Sequence, residues 1–214
     1  MTVEYILFDL DNTLYSSSTG LLREIDRRMT VFVSKYLGTS EENAKLLRIG
    51  FRDRYGTTLR GLMIEHNFTD YESFFTEVHP KNLTKYLEKD LYLKETLEKI
   101  NIPKSVLTNS PMEHAKRVLD FLEVRDFFEN IFDIRFNKLE GKPNLSAYTR
   151  VLKKINKQPE KVLFIDDLSI YLEPFRELGG KVILIDRKAQ GNGKTNGIPR
   201  IKSIQELPQI IENL

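Results

Sequence analysis

Asp9 and Asp11 stand at alternate positions just past the apolar run Tyr5-Ile6-Leu7-Phe8. On an extended chain, side chains i and i+2 point the same way, so the two carboxylates are expected on one face at a strand's carboxyl end. Adjacent carboxylates repel, and burying them unpaired is costly or forces protonation. A divalent cation would resolve that conflict; an ordinary surface pair is the plainer alternative. Three further strand-like runs end in polar residues or lead to them: Thr108-Asn109, Lys142 within Gly141-Lys142-Pro143-Asn144, and Asp166-Asp167. Taken together they offer three or four carboxylates, a lysine, a hydroxyl and an amide, with no Ser/His pair suited to nucleophilic catalysis. All-oxygen ligands suit a hard cation such as Mg²⁺. The lysine, the hydroxyl and backbone amides suit a phosphoryl group. Hydrolysis of a phosphate monoester is among the slowest uncatalysed reactions; it needs charge neutralisation and in-line positioning, and a carboxylate can supply a covalent aspartyl-phosphate step. Each residue taken alone has a plainer role: Thr108 as a strand-end turn, Lys142 as a solvated lysine, Asp167 as a helix cap.

The elements that must position these groups follow from periodicity. Leu22, Ile25, Met29, Phe32, Val33 and Tyr36 recur at helical spacing up to Gly38. Ser40 opens a second helix reaching about Tyr55-Gly56, Thr58 a third ending near Asn67, and Asp70 a fourth over Tyr71 to Val78. After about residue 90 the pattern changes to strands alternating with helices. Helices are expected over Leu91 to Ile100, Met112 to Leu122, Leu145 to Ile155, Ile170 to Leu178 and Ile204 to Leu214. Strands are expected over 104–108, 131–134, 161–165 and 182–185. Alternation of this kind predicts an α/β fold, a Rossmann-like parallel sheet core with helices on both faces. The first strand belongs to that sheet. Residues 1–14 and 91–214 then form the core, and residues 15–90 form an inserted all-helical cap domain above the carboxyl edge. The polar ends of the strands would share one crevice there.

Composition narrows the class. The chain has 214 residues, 40% hydrophobic and 30% charged, with a formal net charge of +2, the profile of a globular protein rather than an electrostatic binder of a nucleic acid polymer. It contains no cysteine, which excludes a disulfide framework and thiolate metal ligands and fits a cytoplasmic setting. No basic segment followed by an apolar run marks a signal peptide, and no stretch has the length to span a membrane. The acceptor-like triplets at Asn67, Asn82 and Asn144 carry no weight without secretion. Gly191-Asn192-Gly193-Lys194-Thr195 imitates a phosphate loop but lacks its leading glycine, Lys188 standing there, and Pro199 follows where a helix is needed. His66, His79 and His114 share no metal-ligand spacing and read as surface or packing residues. Arg27-Arg28 and Lys153-Lys154 read as solvated helix faces.

Asp9-Leu10-Asp11-Asn12-Thr13, Thr108, Lys142 and Asp166-Asp167, in this order and each at a predicted strand end or the loop after it, resemble the four signature motifs of haloacid dehalogenase-like phosphohydrolases. The resemblance covers the whole chain, helical insertion included. Asp11 sets it apart from the dehalogenases themselves, whose first motif lacks the second aspartate. The resemblance implies that Asp9 is the nucleophile and that Asp11 is the general acid and then base, its carbonyl also binding Mg²⁺. It implies that Thr108, with Asn109 beside it, bonds the phosphoryl group, that Lys142 pairs with Asp9 and the phosphate, and that Asp166 ligates Mg²⁺. Asp167 would do so directly or through water.

A second set of residues resembles the pyrimidine 5'-nucleotidase branch: Asp11 to Tyr15, Leu107-Thr108-Asn109, Tyr55-Gly56-Thr57-Thr58-Leu59-Arg60-Gly61-Leu62, Phe164 to Asp167 and Leu207-Pro208. It implies a nucleoside 5'-monophosphate substrate, with Tyr55 and Arg60 of the cap contributing to its binding. The plainer account of Tyr55 to Leu62 is a helix-to-helix turn with a capping threonine. Expectation therefore centres on a Mg²⁺-dependent phosphatase of a small phosphomonoester, acting as a monomer or homodimer. The alternatives are a phosphoglycolate or sugar-phosphate phosphatase, a mutase, or a non-catalytic binding module on the same fold.

Overall fold

The computed structural model describes residues 2–187 and 197–211. The phosphate-loop imitation at 191–195 and the expected end of the last helix at 212–214 lie outside the described residues. Five strands first counted from the sequence pattern become six, β1 (Tyr5–Phe8), β2 (Lys104–Leu107), β3 (Ile131–Phe132), β4 (Val162–Asp166), β5 (Lys181–Ile185) and β6 (Arg200–Ile201). All neighbouring pairs are parallel, in the order β3-β2-β1-β4-β5-β6. The shortest strands depart most from expectation. The strand expected to reach Ile134 stops at Phe132 because Asp133 takes the chain out of the sheet: its carboxylate accepts from Met112 N and Phe136 N, and Ile134 N donates to Ser110 O. β6 is a two-residue edge strand, too short to show a periodicity.

Nine α-helices are described: α1 (Leu21–Leu37), α2 (Glu41–Tyr55), α3 (Thr58–His66), α4 (Tyr71–Val78), α5 (Leu91–Lys99), α6 (Met112–Phe121), α7 (Leu145–Ile155), α8 (Ser169–Glu177) and α9 (Leu207–Ile211). Their starts follow local chemistry. Ser40, Thr57, Asp70 and Asp90 each accept a hydrogen bond from a backbone N–H in the first turn, satisfying an otherwise orphan donor. Thr57, rather than Thr58, thus caps α3. The expected final helix begins as a 3₁₀ turn at Ile204–Glu206 before α9.

Side-chain alternation along the strands divides the core into two layers. Ile6, Phe8, Val106, Leu163 and Ile165 pack with Leu93 and Leu97 of α5, Val118 and Leu119 of α6, and Leu207 of α9. Tyr5, Leu7, Phe164, Val182 and Leu184 pack on the other face with Tyr148 and Val151 of α7 and Leu172 and Phe175 of α8. Both faces of the parallel sheet are therefore covered, as parallel sheets require. The helices α1–α4 have a hydrophobic cluster of their own, including Phe32, Phe51, Leu62, Phe74 and Val78, joined by Ile134 from the loop after β3. Helix α1 serves both units: Leu21 and Ile25 belong to the sheet's cluster, and Phe32 and Val33 to the helical one. Leu83 and Leu87, before the expected boundary at 90, also pack in the sheet's cluster. No helix among the described residues is long and apolar enough to cross a membrane.

Candidate active site

β1 ends at Phe8, so Asp9 and Asp11 lie in the loop beyond it. Asp9 N still donates to Ile165 O at 2.8 Å, Leu10 turns into the core, and Asn12 takes a left-handed φ of 63°. Arg187, after β5, holds this loop from behind by donating to the carbonyls of Asn12 and Thr13. A cavity of about 900 Å³ opens above the carboxyl edge of the sheet. Asp9, Asp11, Thr108, Asn109, Lys142 and Asp167 line its floor, and residues of α1–α4 form its roof.

Lys142 is the centre of the floor. Its side chain is fully buried, and Nζ donates to Asp9 Oδ1 at 2.7 Å and to Asp166 Oδ2 at 2.6 Å. The Phe164 and Tyr171 rings lie 5.2 and 5.0 Å from Nζ. Burial alone would lower the Lys142 pKa, but the Asp166 and Asp9 carboxylates outweigh it and hold the ammonium well above its ordinary range. Burial raises Asp9 and Asp166, against the pull of Lys142. It also pushes Asp167 up to about 7, helped by the Asp9 charge.

Asn109 has a task that its position in the sequence did not reveal. Its Oδ1 accepts from Lys142 N at 2.8 Å and its Nδ2 donates to Lys142 O at 2.9 Å, so both ends of the amide grip the lysine's backbone. This grip needs a glycine beside it: a Cβ on Gly141 would stand 2.2 Å from Asn109 Oδ1. Thr108, almost fully buried, accepts from Ser110 N through Oγ1 and borders the cavity.

Oxygens of Asp9, Asp166 and Asp167 approach within 4.8 Å of one another. Among the described residues, four acidic side chains, Asp9, Asp11, Asp166 and Asp167, lie at this edge with the Lys142 ammonium. A divalent cation with oxygen ligands fits both the donor set and the charge imbalance. Asn12 Nδ2 donates to Asp167 Oδ2 at 3.3 Å, and Asn12 Oδ1 is a buried acceptor without a partner.

The Asp11 carboxylate is turned to a different set. Oδ1 accepts from Tyr15 Oη at 2.6 Å and from His114 Nε2 at 2.8 Å; Oδ2 accepts from Ser110 Oγ at 2.6 Å. Burial pushes the carboxyl up, but His114, Ser110 and Tyr15 outweigh it and hold it well below the usual carboxylate range. His114 corrects the expectation of a surface or packing residue. A lone histidine has no ligand-like spacing; the available signal was its place in the first turn of the helix that follows a strand end. Tyr15, in the same loop as Asp11, is buried and belongs to the same group.

His79 is buried against His114, with ring centroids 4.7 Å apart, and its Nδ1 lies 2.9 Å from Phe75 O, which makes Nδ1 the protonated nitrogen. Burial, then the neighbouring His114, pushes His79 down to about 3. The unfolded histidine titrates at about 6.5, so the unfolded chain takes up a proton first as pH falls. The stability tied to neutral His79 is complete above about pH 6.5 and declines toward the folded value. His79→Leu should flatten this acid limb in urea unfolding measured between about pH 7 and pH 4. An unchanged slope would show that acid acts elsewhere.

The two cap residues expected at the substrate do not line the cavity. Arg54 lies over the Tyr55 ring at 5.5 Å, within the cap. Arg60 reaches Glu140 of the core at 3.3 Å. The stretch from Tyr55 to Leu62 instead does structural work. Gly56 adopts φ +85° and passes so close to the loop after β3 that a Cβ would stand 2.8 Å from Pro143 Cδ, while a Cβ on Gly61 would strike the Phe51 ring at 2.2 Å. Gly56, Thr57, Thr58 and Leu59 do border the cavity. The motif thus seats the cap on the lysine loop, and Tyr55 and Arg60 make their contacts with Arg54 and Glu140.

A Rossmann-like sheet with a buried lysine among aspartates at its carboxyl edge, covered by inserted helices, defines a hydrolase with a carboxylate centre. The family model of haloacid dehalogenase-like hydrolases matches residues 3–169, and the chain belongs to that family. It is 32% identical over 136 residues to phosphate metabolism protein 8 of Saccharomyces cerevisiae, a match covering 58% of this chain and 41% of that protein. It is 26% identical over 191 residues to a phosphoglycolate phosphatase of Aquifex aeolicus, covering 84% and 83%. Its fold superposes on the HAD-hydrolase YfnB of Bacillus subtilis, solved bound to magnesium, with a TM-score of 0.64 at 16% identity and 99% coverage of both chains.

Proposed function

We propose that the chain is a Mg²⁺-dependent phosphomonoesterase acting through an aspartyl-phosphate on Asp9. The observation that carries this reading is the buried Lys142 ammonium bridging Asp9 and Asp166, which keeps a nucleophilic carboxylate next to a positive charge in a site otherwise rich in anions. Asp9, Asp166 and Asp167 would hold the metal together with the Asp11 carbonyl. Bound there, the cation would neutralise charge on the phosphoryl oxygens. Asp9 attacks phosphorus as the bond to the leaving oxygen breaks, and Lys142 and the Thr108 hydroxyl hold the phosphoryl group. Asp11 gives its proton to the leaving oxygen and later takes one from the water that cleaves the acyl phosphate. Its three donors keep it ionised in the free site, which suits the second task; an arriving phosphoryl dianion pushes it the other way.

The substrate we infer is a small phosphorylated metabolite, phosphoglycolate or a sugar phosphate, a reading supported by the phosphoglycolate phosphatase that the chain matches over most of its length. A nucleoside 5'-monophosphate, with pyrimidines preferred, is the second reading. The size of the cavity favours it, since about 900 Å³ holds ligands far larger than a two-carbon ester. So do its apolar walls, Leu22, Ile25, Met29, Phe74 and Phe75, against which a base could lie. Phosphate release should occur with Mg²⁺ and stop with chelator, across a panel of phosphoglycolate, sugar phosphates, UMP, CMP, their deoxy forms, AMP and GMP. The ranking within the panel decides between the two substrate readings. Silence throughout would favour a non-catalytic binding role.

A further inference from the structure

Three elements meet at the Asp11 carboxylate: Tyr15 from the loop after β1, Ser110 from the loop after β2, and His114 from α6. Among the described residues, the His114 imidazole makes no other hydrogen bond. Its side chain is fully buried, its Nε2 donates to Asp11 Oδ1 at 2.8 Å, and its Nδ1 is buried without a partner. A buried imidazole ordinarily satisfies both nitrogens. One that leaves Nδ1 unsatisfied and spends Nε2–H on a carboxylate at the cavity floor serves that carboxylate. The ring is also fixed from the cap side, because His79, just past the end of α4, lies against it at 4.7 Å.

We propose that His114 is a positioning residue that aims the Asp11 carboxyl at the leaving oxygen. The inference rests on the phosphomonoesterase reading above. As an oxygen of Asp9 bonds to phosphorus, the bond from phosphorus to the leaving oxygen breaks, and the Asp11 proton moves to that oxygen. An alkoxide leaves poorly without the proton, whereas p-nitrophenolate needs it little. An error in the aim of Asp11 therefore harms alkyl esters more than aryl esters. A histidine that merely fills space would, on removal, harm both alike.

The test measures kcat/KM, which reports the transfer to Asp9, on p-nitrophenyl phosphate and on the best alkyl phosphate of the panel. His114→Leu should lose about 10²-fold on the alkyl ester, within the usual range for general acid catalysis, and at least about tenfold less on the aryl ester. His114→Gln, which can place an N–H where Nε2 stands, should recover most of the difference. Equal losses on the two esters, or no loss on either, overturn the proposal and leave the phosphomonoesterase reading standing. Failure of the parent protein to turn over either ester overturns both. Should His114→Leu not fold, the comparison is His114→Gln with His114→Asn, whose amide is too short to reach: Gln must exceed Asn on the alkyl ester by more than on the aryl ester, and parity overturns the proposal.

Discussion

Lys142→Met should cost about 3–5 kcal/mol of stability in the presence of chelator, the penalty for breaking a buried ion pair by removing one partner. The substitution keeps a long side chain beside the Phe164 and Tyr171 rings but removes the ammonium that faces both Asp9 and Asp166. The two carboxylates then have to protonate or stay buried without a counter-charge. With a total stability of roughly 5–15 kcal/mol for a typical domain, the loss would be large and easily read in urea melts. Adding Mg²⁺ should recover part of it, since a cation held by Asp9, Asp166 and Asp167 supplies charge where the lysine did. Turnover should nevertheless fall by about 10²–10³, as when one donor to developing charge is removed elsewhere. Unchanged stability in chelator would show that the lysine's two ion pairs do not hold the site together.

Asp9→Asn should be the opposite case, with activity lost and fold kept. The amide has nearly the volume of the carboxylate, and its oxygen can still accept from Lys142 Nζ, now at 2.7 Å from Asp9 Oδ1. Removing one of four clustered acids also relieves repulsion, so stability should stay within about 1 kcal/mol of the parent. Turnover should drop by on the order of 10³ or more, the usual scale for loss of a nucleophile. Acid-quenched protein should carry covalent phosphate in the parent and none in the variant. Appreciable residual turnover by Asp9→Asn would remove Asp9 from the covalent step.

The sequence made some of this legible and hid the rest for a physical reason. The strand-end residues Asp9, Asp11, Thr108, Lys142 and Asp167 could be placed at one crevice because strand-helix alternation and the carboxyl-edge rule need only local information. The parallel sheet and its two helical layers followed from the same alternation. What could not be read were jobs done across long separations. Asn109 grips the backbone of Lys142, 33 positions away, and His114 reaches Asp11 across 103. Neither contact leaves a spacing in the chain. The stretch from Tyr55 to Leu62 is read differently at the two levels: its glycines and capping threonine carry packing and turn geometry, and Tyr55 and Arg60, singled out from the sequence, are not among the residues lining the cavity.

Helix α1 is anchored at its start in the sheet's cluster and at its end among the helices above. Its 17 residues span about 25 Å at the usual rise per residue. Such a rod behaves as a cantilever. A tilt of about 5° at the fixed end carries the far end by about 2 Å over that length. Leu22, Ile25, Met29 and Thr30 border the cavity at successive points along it. Such a tilt would leave the wall near Leu22 almost still and shift it most near Thr30, so any widening of the cavity along α1 would be graded along one beam.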